Sequence, residues 1–94
     1  MEVARSSRTS SKWQVLVGNR TVHFGAAGAS DYTTHGDKER KARYISRHAA
    51  REDWTKSSVD TAGFWARWLL WNKSSLQASA KDIKRRFGFR VELA

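Results

Sequence analysis

The chain has no cysteine, no proline and one methionine, and its 9 Asp+Glu are outnumbered by 18 Lys+Arg. Without cysteine, neither a disulfide framework nor a cysteine-bound zinc can staple the fold, and the redox compartment cannot be read. Without proline, the usual markers of a rigid linker are missing. No apolar run approaches the roughly 18 residues that a membrane span requires, and the first residues lack the apolar stretch of a secretory signal, so a soluble, intracellular protein is expected. The shortage of acid leaves a net charge of +9, which points to anionic partners: nucleic acid, a membrane surface or an acidic protein.

What is present suffices for one small domain: 94 residues, 39% hydrophobic, with five tryptophans. Residues 1–12, MEVARSSRTSSK, hold five Ser/Thr and only Val3 as a sizeable branched apolar side chain. They are expected to form a flexible basic arm carrying Arg5, Arg8 and Lys12, with residues 13–94 forming the domain. KWQVLVGNRTVHFG reads as a hairpin closed at Gly18-Asn19. A lone hairpin is marginal, and FRVEL at 89–93, with Phe89, Val91 and Leu93 alternating, is a candidate third strand that would bring the two ends of the sequence into one sheet.

GAAGASDYTTHG at 25–36 reads as an ordered loop, with Asp31 or Thr33 bonding loop amides and Tyr32 turned inward. Asp37 can cap a helix running to about Ala50, with Tyr44, Ile45, His48 and Ala49 facing the core and Asp37–Lys41 and Glu39–Arg43 at ion-pair spacing. Asp60 or Thr61 can cap the tryptophan-rich TAGFWARWLLWN. A third helix, SSLQASAKDIKRRFG, has a Ser74/Gln77 capping box, an apolar stripe of Leu76, Ala80, Ile83 and Phe87, and Gly88 as its stop. The expected fold is α+β: a two- or three-stranded antiparallel sheet packed against three short helices, the tryptophan-rich one central.

Arg40, Arg43, Arg47 and Arg51 fall within about an 80° arc of the first long helix. Planar guanidinium forks suit phosphate oxygens, so the row reads as a solvated face, a nucleic-acid contact or a surface for an acidic protein. Lys81, Lys84 and Arg85 on the last helix can assist. Phe64, Trp65, Trp68, Leu69 and Trp71 span roughly a 160° arc, wider than one buried helix side needs, which marks Trp65, Trp68 and Trp71 as candidate protein-interface anchors alongside their core reading. SDYTTHGD places Asp31, His35 and Asp37 together, but a turn explains them. GAAG at 25–28 lacks the context of a phosphate loop. No paired-carboxylate, metal-ligand or activated-nucleophile arrangement emerges, so no catalytic residues, no metal and no cofactor are expected.

The succession FGAAGASDYTTH, DKERKARYISRH, REDW, TAGFWARWLLWN and SLQASAKDIKRRFG, over residues 13–88, resembles a small uncharacterised family of basic proteins from large DNA viruses of algae and amoebae. The chain departs from that pattern at Ser74, where relatives often carry proline, and in its added arm. The resemblance brings no catalytic residues. It implies a viral setting, the virion or the infected cell, and a small structural protein such as a minor capsid component. That protein would dock on capsid partners or acidic surfaces through the tryptophan helix and the arginine row. The alternative is sequence-independent DNA binding through the same arginines. Neither reading fixes an oligomeric state.

Overall fold

A computed structural model describes residues 1–94. Four strands, β1 (Glu2–Arg5), β2 (Ser11–Val17), β3 (Arg20–Ala26) and β4 (Glu92–Leu93), form one sheet in the order β3-β2-β1-β4. β2 and β3 make the expected hairpin, with Val17 opposite Arg20 and only Gly18 and Asn19 between them. Gly18 has a φ of 62°, and a positive φ at the first of two turn positions is what a type II′ turn requires and glycine supplies freely.

The basic-arm expectation for residues 1–12 is overturned. Residues 2–5 are strand β1, antiparallel to β2 with Val3 opposite Val15, and β4 lies on the other side with Leu93 opposite Val3. Val3, 2% exposed, sits in the core cluster, and the Ser6 amide closes the connection by donating to the Lys12 carbonyl at 3.0 Å. Composition misleads here because one anchoring valine combined with a two-sided ladder of backbone hydrogen bonds is enough to order a short polar strand. The domain therefore begins at the first strand. The sheet also differs from expectation: it has four strands and is mixed, because the last one starts only at Glu92 and runs parallel to β1.

The helices are α1 (Tyr32–His35), α2 (Lys38–Ala49), α3 (Ala62–Trp65), which continues directly as a π-helical turn over Ala66–Leu70, and α4 (Leu76–Phe87), with a 3₁₀ turn at Lys56–Ser58. Short polar side chains set their starts. Asp31 caps α1 reciprocally with Thr34, Asp37 accepts from the Glu39 and Arg40 amides, and Thr61 accepts from the Phe64 amide. At α4 the cap is Ser75, not Ser74: its backbone is extended and its side chain accepts from the Ala78 amide at 3.1 Å. Adjacent serines are equivalent by composition, and only the chain path distinguishes them. Gly88 ends α4 in the left-handed region, φ 84°, donating to the Lys84 carbonyl.

The inner face of the sheet, Val3, Val15, Val22 and Phe24, packs on Phe64, Trp65, Leu69 and Leu70 of the central helix and on Ala80 and Ile83 of α4. In the π turn the Trp71 amide bonds the Ala66 carbonyl, five residues back. This wider turn lets the neighbouring Leu69 and Leu70 both face inward with Trp65, which explains the broad apolar arc of the sequence. α2 rides outside this core with Tyr44 as its one buried residue. Tyr44 is buried, with its ring stacked 4.5 Å from Trp71 and 4.1 Å from His48, while Ala49, expected inside, is exposed.

Candidate functional site

Arg40, Arg43 and Arg47 on α2, and Arg51 in the turn just past its end, are all exposed. Their charge is barely compensated. Arg40 donates to the Ser30 hydroxyl at 3.3 Å, Arg43 lies 4.0 Å from an exposed Glu39 carboxylate, and Arg47 and Arg51 have no ion partner. The nearby acid is engaged otherwise. Asp37 caps the helix, and the Arg40 amide, prevailing over burial with help from the Glu39 amide and the charges of His35 and Arg43, holds it below the usual carboxylate range.

Elsewhere, too, acids are occupied: Asp31 by Lys12 at 2.5 Å, and Asp82 by Arg85 and by Arg86 at 2.6 Å. The excess of positive charge thus stays on the surface. Lys81 and Lys84 are exposed and make no ion pair, whereas Arg85 is tied to Asp82 while its side chain remains 68% exposed. The three basic residues assigned to an arm are part of the folded domain. Lys12 also donates to the Ala29 carbonyl at 2.8 Å, Arg5 lies over the Trp13 ring at 5.7 Å, and Arg8 is exposed.

The tryptophans do not make the expected docking patch. Trp65 is 0% exposed, with Nε1 donating to the Val59 carbonyl at 2.7 Å, and is a core residue. Trp68 is half-buried, its indole N–H on the Trp54 carbonyl at 2.8 Å and its ring covered by the guanidinium groups of Arg67 at 4.3 Å and Arg86 at 4.6 Å. Trp71 is half-buried against Tyr44. The exposed large hydrophobic side chain is Leu16, at 54%, on the outer face of the sheet. One leucine is far less than the apolar area that marks an interface.

Sequence reasoning missed the polar cluster at the turn Trp71–Lys73. Asp82 and Asn72 are buried and bonded to each other at 2.8 Å. Lys41, expected to pair with Asp37, instead donates to the Asn72 carbonyl at 2.6 Å. Arg67 donates to the Trp71 carbonyl at 2.8 Å and lies against Trp54 and Trp68. The available signal was an arginine inside the most apolar segment of the chain, flanked by tryptophans.

A cleft of about 360 Å³ opens where the end of β3 meets α2 and α3, walled by Lys12, Asp31, Tyr44, His48, Glu52 and Trp71 among others. Burial, reinforced by the negative charge of Glu52, pushes the Tyr44 hydroxyl far above its ordinary value, so it stays protonated. The Glu52 carboxylate lies against the first turn of α3, where a side chain at Gly63 would collide with it. The histidines are dispersed among local contacts: His23 with the Ser6 hydroxyl, His35 accepting from the Asp37 amide, and His48 donating to the Tyr44 carbonyl. No group of three or more His, Asp or Glu side chains converges as a metal ion would require. No helix is long and apolar enough to cross a membrane.

Residues 1–48, which take in β1 to β3, α1 and most of α2 with Arg40, Arg43 and Arg47, match the sequence profile of a family of unknown function, DUF5754. The chain belongs to that family. No curated protein and no solved structure matches it.

Proposed function

We propose that this chain is a non-enzymatic binding protein that holds a polyanion, in the first instance the phosphate backbone of nucleic acid, on the outward face of α2. The observation that carries this reading is the exposed, barely compensated row of Arg40, Arg43 and Arg47 on α2, with Arg51 just past its end. Guanidinium groups left free of carboxylates retain their paired donors for phosphate oxygens, and contacts of this kind bind without regard to base sequence. The exposed Lys81, Lys84 and Arg85 extend the positive field. The sealed Trp65 and the covered Trp68 favour an electrostatic mode of attachment over hydrophobic docking.

The viral setting implied by the sequence resemblance fits either a DNA-associated factor or a virion component whose arginines meet an acidic protein. Comparing short duplex DNA with polyglutamate as ligands, against a control protein of equal net charge, separates these. Preference for DNA over polyglutamate, abolished when the four arginines become glutamine, is the expected result. Binding of both polymers no tighter than the control would leave the row a solvated face and end the proposal.

A further inference from the structure

We infer that the turn Trp71–Lys73 carries a second anion site, which holds a phosphate group among Lys41, Arg67, Lys73 and Arg86. The natural ligand, a nucleic-acid phosphate, rests on the polyanion reading; the site itself uses atoms apart from the arginine row.

Arg67 is the centre of the case. It is half-buried, donates one hydrogen bond, from Nη1 to the Trp71 carbonyl, and has no carboxylate partner, while its buried Nε faces no acceptor. Guanidinium groups withdrawn from water are ordinarily paired, because desolvation without a counter-charge is costly. Lys41 reaches the same turn from α2, bonding the Asn72 carbonyl, also without a carboxylate. Arg86 arrives from α4 across the Trp68 ring, and Lys73 stands exposed in the turn itself.

The acid in their midst is Asp82, and its oxygens are already taken by Asn72, Arg85 and Arg86. Five cations, counting Arg85, thus gather round one occupied carboxylate. Burial, followed by the charges of Arg67, Lys73 and Arg86, lowers the proton affinity of Lys41, and burial followed by the charge of Arg86 lowers that of Arg67. A bound oxyanion relieves both repulsions. Phosphate fits better than a carboxylate, since its oxygens can accept from several cations at once.

The test is a titration of the full chain with inorganic phosphate at constant ionic strength, followed by NMR at Arg67 Nε–H and Trp68 Nε1–H. A saturable shift at both is expected, weakened about three- to five-fold by Lys73→Gln, which removes one exposed charge and spares the fold. Arg67→Gln should remove the Trp68 response. If Arg67 does not respond, if chloride shifts it equally, or if Lys73→Gln changes nothing, the guanidinium is only packing between indoles and the site is refuted. A parallel titration with short duplex DNA identifies the source. Response to both ligands places a nucleic-acid phosphate there, and response to phosphate alone keeps the site while removing DNA as its occupant. DNA binding that depends on the α2 arginines with Arg67 silent overturns the site and leaves the main reading intact.

Discussion

Replacing Asp82 by alanine tests whether the buried Asn72–Asp82 cluster holds the fold as its geometry requires. The carboxylate is 5% exposed and serves three partners: Asn72 Nδ2 at 2.8 Å, Arg86 Nε at 2.6 Å, and Arg85. Truncation leaves the Asn72 amide buried without its acceptor, which costs about 1–3 kcal/mol. The arginines are 68% and 39% exposed and can return to water, so each pair is discounted to about 0–1 kcal/mol. Alanine recovers about 0.5 kcal/mol of helix propensity. The net loss lies between about 0.5 and 4.5 kcal/mol and centres on about 2.5 kcal/mol, a drop in Tm of roughly 10–20 °C for a domain of this size. Burial alone would raise the pKa of Asp82, but hydrogen bonds from Asn72, Arg86 and Arg85, with the charge of Arg86, prevail and hold it far below its ordinary 3.8. A depressed carboxylate gives stability that is present above the unfolded value and lost as pH falls below it. Denaturant unfolding of both proteins should therefore show the full gap at pH 7 and a narrowing gap below about pH 4. A gap under about 0.5 kcal/mol at pH 7, or one unchanged at pH 3, would refute the reasoning.

Val3→Ala should cost about 2 kcal/mol in denaturant unfolding, and the Val3 amide should resist hydrogen exchange; an unprotected amide would restore the basic arm. Ser75→Ala should cost about 1 kcal/mol and Ser74→Ala close to nothing, and the reverse order would move the start of α4. Gly63→Ala and Glu52→Ala should couple by more than about 0.5 kcal/mol in a double-mutant cycle, because a Cβ at position 63 has to displace the carboxylate at 52; simple additivity would show that the two do not touch.

Much of the fold is legible in the sequence where a local signal has one physical meaning. Gly18-Asn19 between β-branched runs fixes a hairpin, Asp37 and Thr61 mark helix starts, and Gly88 a helix stop. What escapes is non-local. β1 exists because β2 and β4 flank it, and no composition count over residues 1–12 reveals those neighbours. The candidate site divides the same way. The exposed row of Arg40, Arg43 and Arg47 follows from helical spacing, which local sequence supplies, whereas α2 ends before Arg51. The cluster of Lys41, Arg67, Lys73 and Arg86 depends on three elements meeting at one turn, and the packing that seals Trp65 leaves Trp68 half-buried.

The most direct test of the polyanion face is the slope of log K against log salt concentration for duplex DNA, measured for the wild type and for the variant with Arg40, Arg43, Arg47 and Arg51 all replaced by glutamine. Each neutralised phosphate contributes about −0.9 to that slope, so engagement of all four side chains makes the variant shallower by roughly 3.6. Equal slopes and equal affinities in the two proteins would contradict a binding role for the row.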